Sequence, residues 1–325
     1  PLSSQPKTPH ELAIKFLGNN LSATLVAQNH QVLGVVRNTN LKSEHMQLAH
    51  IVDIDGTTDW TQLLRSCEVV IHTAARVHIQ QKANSPQTDN LYHSLNVDGT
   101  LNLARQAAAY GVKRFIFIST IKVNGERTTL GRPFRATDIP NPQDSYGVSK
   151  LKAETGLREI AQQTGIEVVI IRPPLIYGKG VKGNFQTLLK FVNHRIPLPF
   201  GCITSNRRSF VGLDNLNSLI TVCLSHPSAA NQTFLVSDNE DVSTAELLKR
   251  LGKAVNRPPV LLPVSLNCLN WLMKLFRKTE AFEKIAGTLQ VDISATCERL
   301  GWKPSVSLNE GLETIACEVL NEKAL

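Results

Sequence analysis

The residues best suited to chemistry are Tyr146 and Lys150, which stand four positions apart in the segment Tyr-Gly-Val-Ser-Lys. On a helix, residues with this spacing share one face and lie about one turn apart. An ammonium group held beside a phenol favours the phenolate, so we expect the pKa of Tyr146 to fall toward neutrality. A tyrosine in that state can act as a general base. The same spacing also occurs by chance at exposed helix starts.

A candidate hydroxyl group lies at the end of an apolar run that precedes this pair. The run 115–118 is followed by Ser119 and Thr120, and the loop from there to Tyr146 has the usual length for bringing a hydroxyl group beside the tyrosine. In this context the Tyr-Lys spacing favours a catalytic pair over a chance occurrence.

The elements that must position these residues are short apolar runs that alternate with longer helical patterns. The predicted strands are 31–37, 50–54, 68–75, 114–120 and 166–173, and the predicted helices are 17–29, 59–66, 96–110 and 146–163. The first four residues of the run FIFIST and the whole run VVII are apolar, as in strands buried on both faces of a parallel sheet. The alternation of strand and helix predicts a doubly wound α/β fold.

The sequence pattern changes after Arg172, where prolines are frequent and separate shorter predicted elements. We therefore predict two domains, over residues 1–178 and 179–325, with the smaller second one facing the substrate and returning a strand or helix to the sheet. Residues 265–278 form an amphipathic, basic helix. Packing against the second domain is the favoured placement for it, and a membrane surface is the other.

Composition narrows the class of protein. With 42% hydrophobic residues the chain can bury a core, and its net charge of +8 is too dilute to argue for nucleic-acid binding. Its 6 cysteines are widely spaced, which predicts buried thiols and no metal site. Neither a transmembrane stretch nor a signal peptide is predicted, so we expect a cytoplasmic protein without membrane insertion.

Several segments, in order along the chain, resemble the extended short-chain dehydrogenase/reductase family, in its NAD-dependent epimerase/dehydratase branch. The resemblance runs from about Phe16 to about Leu312. It rests on VIHTAA (70–75), LNVDGT (95–100), FISTIKVNGE (117–126), SYGVSK (145–150), IIRPPLIYGKG (170–180), GNF (183–185), NRRSFVGLDNL (206–216) and LGW (300–302). It is closest to bacterial UDP-sugar 4-epimerases and 4-reductases of O-antigen pathways. The resemblance implies a Rossmann-type dinucleotide-binding domain followed by a smaller nucleotide-sugar-binding domain.

The resemblance also implies roles for individual residues. Tyr146 is the expected catalytic base, Lys150 is its partner and also binds the nicotinamide ribose, and Thr120, rather than Ser119, donates a hydrogen bond to the sugar O4. With Tyr146 and Lys150, the expected cofactor-binding residues are Gly18, Arg37, Asp53, Ile54, Ala74, Ala75, Asn96 and Pro173. Among these, Asn96 matches an asparagine that supports the active-site helix.

On the substrate side, the resemblance places Asn184 near the UDP phosphates and Arg208 on them, where a planar guanidinium can bind two oxygens at once. Arg207 is expected to be a solvated neighbour. Many relatives carry a second phosphate-binding arginine, and Lys284 is the nearest candidate for that position in this sequence. Lys122 and Asn124, just past Thr120, are the candidates for recognising the sugar.

The implied activity is epimerisation at C4 of a UDP-hexose or UDP-N-acetylhexosamine. One alternative is an NADPH-dependent 4-reductase of a UDP-4-keto-6-deoxy sugar, and another is a non-catalytic nucleotide-sugar-binding protein. A reductase of steroid-like ketones is a weaker alternative, since such a ketone offers Arg208 and Asn184 no phosphate. A dehydratase is disfavoured, because Ile121 and Lys122 replace the Asp-Glu pair of the family's dehydratases. A homodimer is expected from the same resemblance.

The cofactor loop departs from the family pattern. Of the three glycines in G-x-x-G-x-x-G only Gly18 is present, Leu12 and Lys15 stand at the other two, and the segment before them makes a poor central strand. Three explanations stay open: a misread or out-of-frame stretch joined near Phe16, a diverged protein with weak or no cofactor binding, or a different loop that still binds. Arg37 at the end of the second strand suits NADP, although relatives with arginine there also use NAD.

Overall fold

The computed structural model describes residues 10–13, 15–37, 43, 46–76, 86–180, 184–276 and 279–321. Its strands are β1 His10–Ala13, β2 Gln31–Val36, β3 Gln47–His50, β4 Val69–His72, β5 Arg114–Ile118, β6 Glu167–Arg172, β7 Leu175–Tyr177, β8 Arg208–Gly212, β9 Thr233–Leu235 and β10 Asp241–Val242. Its α-helices are α1 Lys15–Ala27, α2 Thr61–Leu64, α3 Pro86–His93, α4 Thr100–Ala109, α5 Ser145–Thr164, α6 Asn184–Asn193, α7 Leu213–Ser225, α8 Thr244–Ala254, α9 Leu266–Leu275, α10 Thr279–Ala286, α11 Ser294–Leu300 and α12 Leu308–Asn321.

The main sheet is parallel and carries helices on both faces. β1, β2 and β3 pair in that order, and β4, β5, β6 and β9 pair in that order. β1 also runs beside β4, which joins the two sets. The predicted doubly wound α/β fold is confirmed.

The alternation of side chains along β5 divides the core between the two faces of the sheet. Phe115 and Phe117 belong to one apolar cluster with Leu157 of α5. Ile116 belongs to the cluster on the opposite face, with Leu219 of α7. Because successive residues of a strand point to opposite sides, an unbroken apolar run is what a strand covered on both faces requires.

The N-terminal strand corrects one expectation. The segment before Gly18 was expected to make a poor central strand, yet β1 forms and aligns in parallel with residues 31–34 of β2. The reason is that a ladder is built from backbone N–H and C=O groups, which a polar sequence supplies as well as an apolar one does.

The second part of the chain builds a smaller sheet, in the order β10-β8-β7, and a third apolar cluster. Leu189 of α6, Leu248 of α8 and Leu312 of α12 belong to that cluster. β9 and α7 return to the main sheet, where β9 pairs with β6 and α7 contacts α1 and β5.

Helix α9 is more exposed than its expected packing against the second domain requires. It contacts α10, but among its own residues only Leu269 is buried. Trp271 is 65% exposed and Leu275 is 64% exposed. Within the described ranges, no helix combines the length and apolar character needed to cross a membrane.

Candidate active site

Tyr146 lies in the first turn of α5, where the helix start is closely defined. Asp144 is the N-cap, and its carboxylate accepts a hydrogen bond from the Gly147 N–H at 2.7 Å. A side chain at Gly147 would place its Cβ 3.1 Å from the Lys122 carbonyl oxygen. The close approach of these two backbone segments brings the loop after Thr120 against the turn that carries the tyrosine.

Lys150 is buried one turn further along α5. Its Nζ donates a hydrogen bond to the Ile118 carbonyl oxygen at 2.7 Å and lies 4.2 Å from the centre of the Phe117 ring. Burial lowers the pKa of Lys150 to about 7, and the nearby Glu154 carboxylate opposes that fall. The structure gives the other two ammonium protons no acceptor among the described residues, so they can bind ribose hydroxyl groups.

The state of Tyr146 differs from the one expected from its spacing. Burial of the phenol, followed by the charge of Asp144 and the neighbouring Tyr92, raises the pKa of Tyr146 above its ordinary value. The expected fall toward neutrality is therefore absent from this structure. The physical reason is that the Lys150 ammonium is engaged by the Ile118 carbonyl while burial penalises the phenolate.

The two hydroxyl residues after β5 point to different surroundings. Ser119 is 4% exposed, and its hydroxyl donates to the Glu154 carboxylate at 2.6 Å. Thr120 is half-buried and extended, with its Oγ1 accepting a hydrogen bond from the Lys122 N–H at 3.3 Å. Since the serine hydroxyl is used inside the protein, the arrangement supports Thr120 as the residue that contacts the sugar.

A buried network behind Thr120 was missed from the sequence. Arg172 donates to both carboxylate oxygens of Glu154, at 2.9 and 2.6 Å, and to the Asn124 side-chain oxygen at 2.9 Å. Glu154 stands one turn after Lys150 on α5, and this helical spacing could have indicated it.

The structure therefore contradicts the role expected of Asn124. It was a candidate for recognising the sugar, but it is 3% exposed, and its amide also donates to the Arg135 carbonyl at 2.8 Å. With both ends of its amide bonded inside the protein, we assign Asn124 a positioning role.

Lys122, the other candidate for sugar recognition, remains partly accessible. Its ammonium contacts the Asp144 carboxylate at 2.5 Å and the Glu126 carboxylate at 2.9 Å. Burial alone would lower the pKa of Lys122, but these two carboxylates outweigh it and raise the pKa, so Lys122 stays charged.

Asn96 links the loop after β4 to the catalytic helix. It lies in a π-helical turn, Ser94–Gly99, a rare distortion often found at functional sites. Its amide nitrogen donates to the Arg76 carbonyl at 3.1 Å and to the Ser149 hydroxyl at 3.0 Å, and its oxygen accepts from the Arg76 N–H at 2.8 Å. These bonds tie the loop that contains Arg76 to Ser149 of α5, and the supporting role of Asn96 stays a prediction.

The carboxyl ends of the central strands form the edge where a dinucleotide would lie. Ala74 and Ala75 are half-buried just past β4, and Pro173 is buried just past β6. The Pro173 carbonyl accepts a hydrogen bond from the Ile121 N–H at 2.9 Å. Small side chains at this edge, together with the spare protons of Lys150, fit a nicotinamide dinucleotide.

The adenosine end of that edge is also defined. Asp53 accepts a hydrogen bond from the Ile54 N–H at 2.8 Å, and its carboxylate lies 3.1 Å from the Arg37 guanidinium. Gly18 is buried within α1. The side chains of Leu12 and Lys15, which raised the question about the loop, lie outside the described ones.

The residues expected to hold phosphates lie around the start of β8. Arg208 is half-buried and donates to the Gly287 carbonyl at 3.1 Å. Arg207, expected to be solvated, instead donates to the carbonyls of its own loop. Lys284 is exposed on α10, and Asn184 is the first residue of α6, with a side chain outside the described ones.

Comparison with known proteins places this site in a family. The profile of the NAD dependent epimerase/dehydratase family matches residues 15–236. The chain is 48% identical over 303 residues to a UDP-glucose 4-epimerase of Vibrio cholerae, and the match covers 93% of this chain and 92% of the relative.

Solved structures show the same fold. The UDP-N-acetylglucosamine 4-epimerase from Bacillus cereus matches with a TM-score of 0.78 at 18% identity, over 96% of this chain and 99% of that one. The UDP-glucuronic acid 4-epimerase from Bacillus cereus, solved in complex with NAD, matches with a TM-score of 0.76 at 21% identity, over 95% and 96% of the two chains. On the family match and the 48% identity together, this chain belongs to the NAD dependent epimerase/dehydratase family.

Proposed function

We propose that the protein is an NAD-dependent UDP-sugar 4-epimerase, which acts at C4 of a UDP-hexose or UDP-N-acetylhexosamine through a 4-keto intermediate. The observation that carries the proposal is the packing of α5 against the carboxyl end of β5: Lys150 is bonded to the Ile118 carbonyl, and the turn that carries Tyr146 lies against the loop after Thr120. The 48% identity to a UDP-glucose 4-epimerase supports the reaction and the sugar nucleotide.

In this proposal each side chain has one task. Tyr146 must be ionised to accept the proton of the O4 hydroxyl as C4 is oxidised, and the positive charges of Lys150 and of bound NAD⁺ would favour its phenolate; it returns the proton when C4 is reduced from the other face. Thr120 hydrogen-bonds the same oxygen as its charge changes. Lys150 holds the ribose and supplies positive charge beside the phenol. When bound, NAD supplies the hydride acceptor and donor for C4.

The diphosphate is assigned to Arg208. Burial lowers the pKa of its guanidinium, although Glu126 opposes this, so an anionic ligand at this point would be favourable. A bidentate contact from Arg208 would fix the far end of the substrate while C4 lies at Tyr146. Asn184 at the start of α6 is proposed for the same phosphates.

NAD is proposed over NADP because of the ion pair at the adenosine end. Arg37 could receive a 2′-phosphate, but the Asp53 carboxylate already occupies one face of its guanidinium. A 2′-phosphate would meet that negative charge. The ion pair therefore supports NAD.

The first experiment identifies the dinucleotide that purified protein releases on denaturation. Near-stoichiometric NAD is expected, and it would show that the N-terminal segment supports a cofactor site. If the protein releases no dinucleotide but reduces a UDP-4-keto-6-deoxy sugar with added NADPH, the 4-reductase would replace the epimerase as the proposed function. Binding of UDP-sugar with neither cofactor nor turnover would replace it by the non-catalytic alternative.

The second experiment tests the catalytic pair. In Tyr146→Phe, conversion of UDP-glucose to UDP-galactose should fall by at least about a hundredfold, since the base is removed. Tyr110→Phe is the matched control, because Tyr110 lies exposed at the end of α4. Normal turnover by Tyr146→Phe would overturn the mechanism.

The oligomeric state and the cellular location of the protein remain proposals. We propose a homodimer formed through the face of α3 and α5, where Leu91 and Val148 are each 37% exposed. Analytical ultracentrifugation of wild type against Val148→Asp tests it. The cytoplasmic location expected from the sequence likewise stays a prediction.

A further inference from the structure

Three charged side chains form a cluster beside the catalytic residues. Lys122 stands between the carboxylates of Asp144 and Glu126, at 2.5 and 2.9 Å. The three side chains are 29%, 36% and 29% exposed, respectively, so each keeps a face toward solvent or ligand. With both carboxylates ionised the cluster carries a net charge of −1.

Each member is tied to a residue that the proposed mechanism uses. The Lys122 N–H donates to the Thr120 hydroxyl oxygen. Asp144 caps the helix turn that carries Tyr146, and its charge acts on the phenol. The charge of Glu126 opposes the effect of burial on the pKa of Arg208. The cluster is therefore coupled both to the groups proposed for O4 and to the group proposed for the diphosphate.

The chemistry of a hexopyranose decides what this cluster meets. C4 is flanked by C3, which carries a hydroxyl group, and by C5, which carries C6. The diphosphate leaves from C1, across the ring. When O4 is held by Thr120 and Tyr146, the substituents next to C4 are expected to lie near the segments that carry these two residues. Lys122 and Asp144 stand two positions from Thr120 and Tyr146, respectively.

We propose that the cluster of Lys122, Glu126 and Asp144 selects sugars whose C6 is uncharged, a hydroxymethyl or methyl group, and rejects a C6 carboxylate. This inference rests on the proposed function, because it requires C4 to lie at Tyr146. A carboxylate at C6 would meet a net negative charge. The one cation there already has two carboxylate partners, so it gains little by turning to a third.

The experiment measures two substrates on the full-length protein. UDP-glucose and UDP-glucuronate differ only in the oxidation state of C6, so their ratio isolates its charge. The kcat/KM of each sugar is measured by steady-state kinetics and its dissociation constant by calorimetry. The dissociation constants give the preference between the two sugars even where one of them is not converted. Compared with UDP-glucose, we expect UDP-glucuronate to have a kcat/KM at least about tenfold lower and a dissociation constant at least about tenfold higher.

Variants then assign the effect to the cluster. Glu126→Gln makes the cluster neutral and should reduce the preference for UDP-glucose over UDP-glucuronate by about threefold or more. Lys122→Met makes the cluster more negative and should increase that preference. Glu283→Gln is the matched control. It makes the same change of charge at an exposed carboxylate that pairs with Arg127 instead. Thermal unfolding of each variant verifies that it is folded.

The outcomes are distinguishable. Equal handling of the two sugars by wild type, or the same shift in Glu126→Gln and Glu283→Gln, overturns the inference and leaves the proposed function standing. Failure to bind or convert UDP-glucose, UDP-glucuronate and UDP-N-acetylglucosamine alike overturns the proposed function and the inference with it. A preference for UDP-glucose that narrows only in Glu126→Gln supports both.

Discussion

The carboxylate of Glu154 is held by the guanidinium of Arg172 through two hydrogen bonds, at 2.9 and 2.6 Å, in a place where neither side chain is more than 2% exposed. This pair joins α5, which carries the proposed catalytic residues, to the end of β6. Through the Ser119 hydroxyl it also reaches the residue before Thr120. The two elements that carry the proposed catalytic groups, α5 and the segment after β5, are therefore joined to each other and to β6 through the buried Glu154 carboxylate.

Breaking that pair from the Arg172 side should destabilise the fold. Arg172→Met leaves a buried carboxylate without its main partner, so we expect the free energy of unfolding to fall by about 3–5 kcal/mol. Urea unfolding followed by circular dichroism measures it. Arg158→Met is the matched control, because Arg158 contacts the same carboxylate at 3.1 Å from a side chain that is 44% exposed. Its loss should stay below about 1 kcal/mol, and equal losses would contradict the assignment.

The two hydroxyl residues after β5 should respond differently to substitution. Thr120→Val removes the hydrogen bond proposed for O4, and kcat should fall by about tenfold to a hundredfold. Ser119→Ala removes only the bond to Glu154, which keeps Arg172, so kcat should change by less than about threefold. Steady-state kinetics with UDP-glucose measures both. A larger loss in Ser119→Ala would reverse the assignment of Thr120.

The buried Lys150 should make stability depend on pH. Burial lowers its pKa from 10.5 to about 7 in the folded protein, so between these values the unfolded chain binds the additional proton. Stability contributed by neutral Lys150 is therefore fully present above pH 10.5 and is lost as the pH falls through about 7. The slope is up to about 1.4 kcal/mol per pH unit.

Lys150→Met should remove that slope, because methionine has no proton to gain. The measurement is urea unfolding between about pH 7 and 9, on protein freed of bound dinucleotide, for the wild type and the variant. Lys152→Met is the control, since Lys152 lies two residues away on α5 and is exposed. Parallel pH profiles of the wild type and Lys150→Met would contradict the pKa assigned to Lys150.

The ion pair at the adenosine end should govern the choice of dinucleotide. Asp53→Asn releases Arg37 from its carboxylate, so the affinity for NADP should rise relative to that for NAD by about threefold to tenfold. Fluorescence titration of the reduced dinucleotides measures the ratio. Glu313→Gln changes the same charge at an exposed residue of α12 and should leave the ratio unchanged. No change in Asp53→Asn would show that Arg37 takes no part in the choice.

The fold class and the family could be predicted because they depend on patterns that are local or ordered along the chain. The first four residues of the run FIFIST are apolar on both faces of a strand, which by itself requires helices on both sides of the sheet. The Tyr-Lys spacing and the segments around it follow one another in a fixed order. The strand at His10–Ala13 was not foreseen, because its ladder is made by backbone groups that carry no signature in the side chains.

The spacing of residue types along the chain predicts which residues form the candidate site, whereas their hydrogen bonding and pKa values depend on the tertiary packing. Asn124 follows Thr120 closely, yet its amide is bonded to Arg172, which is 48 residues away. Lys150 has the right spacing from Tyr146, but its ammonium is engaged by the Ile118 carbonyl, and burial sets its pKa. The physical reason is that hydrogen bonding and desolvation depend on every group packed around a side chain, and most of those groups are distant in sequence.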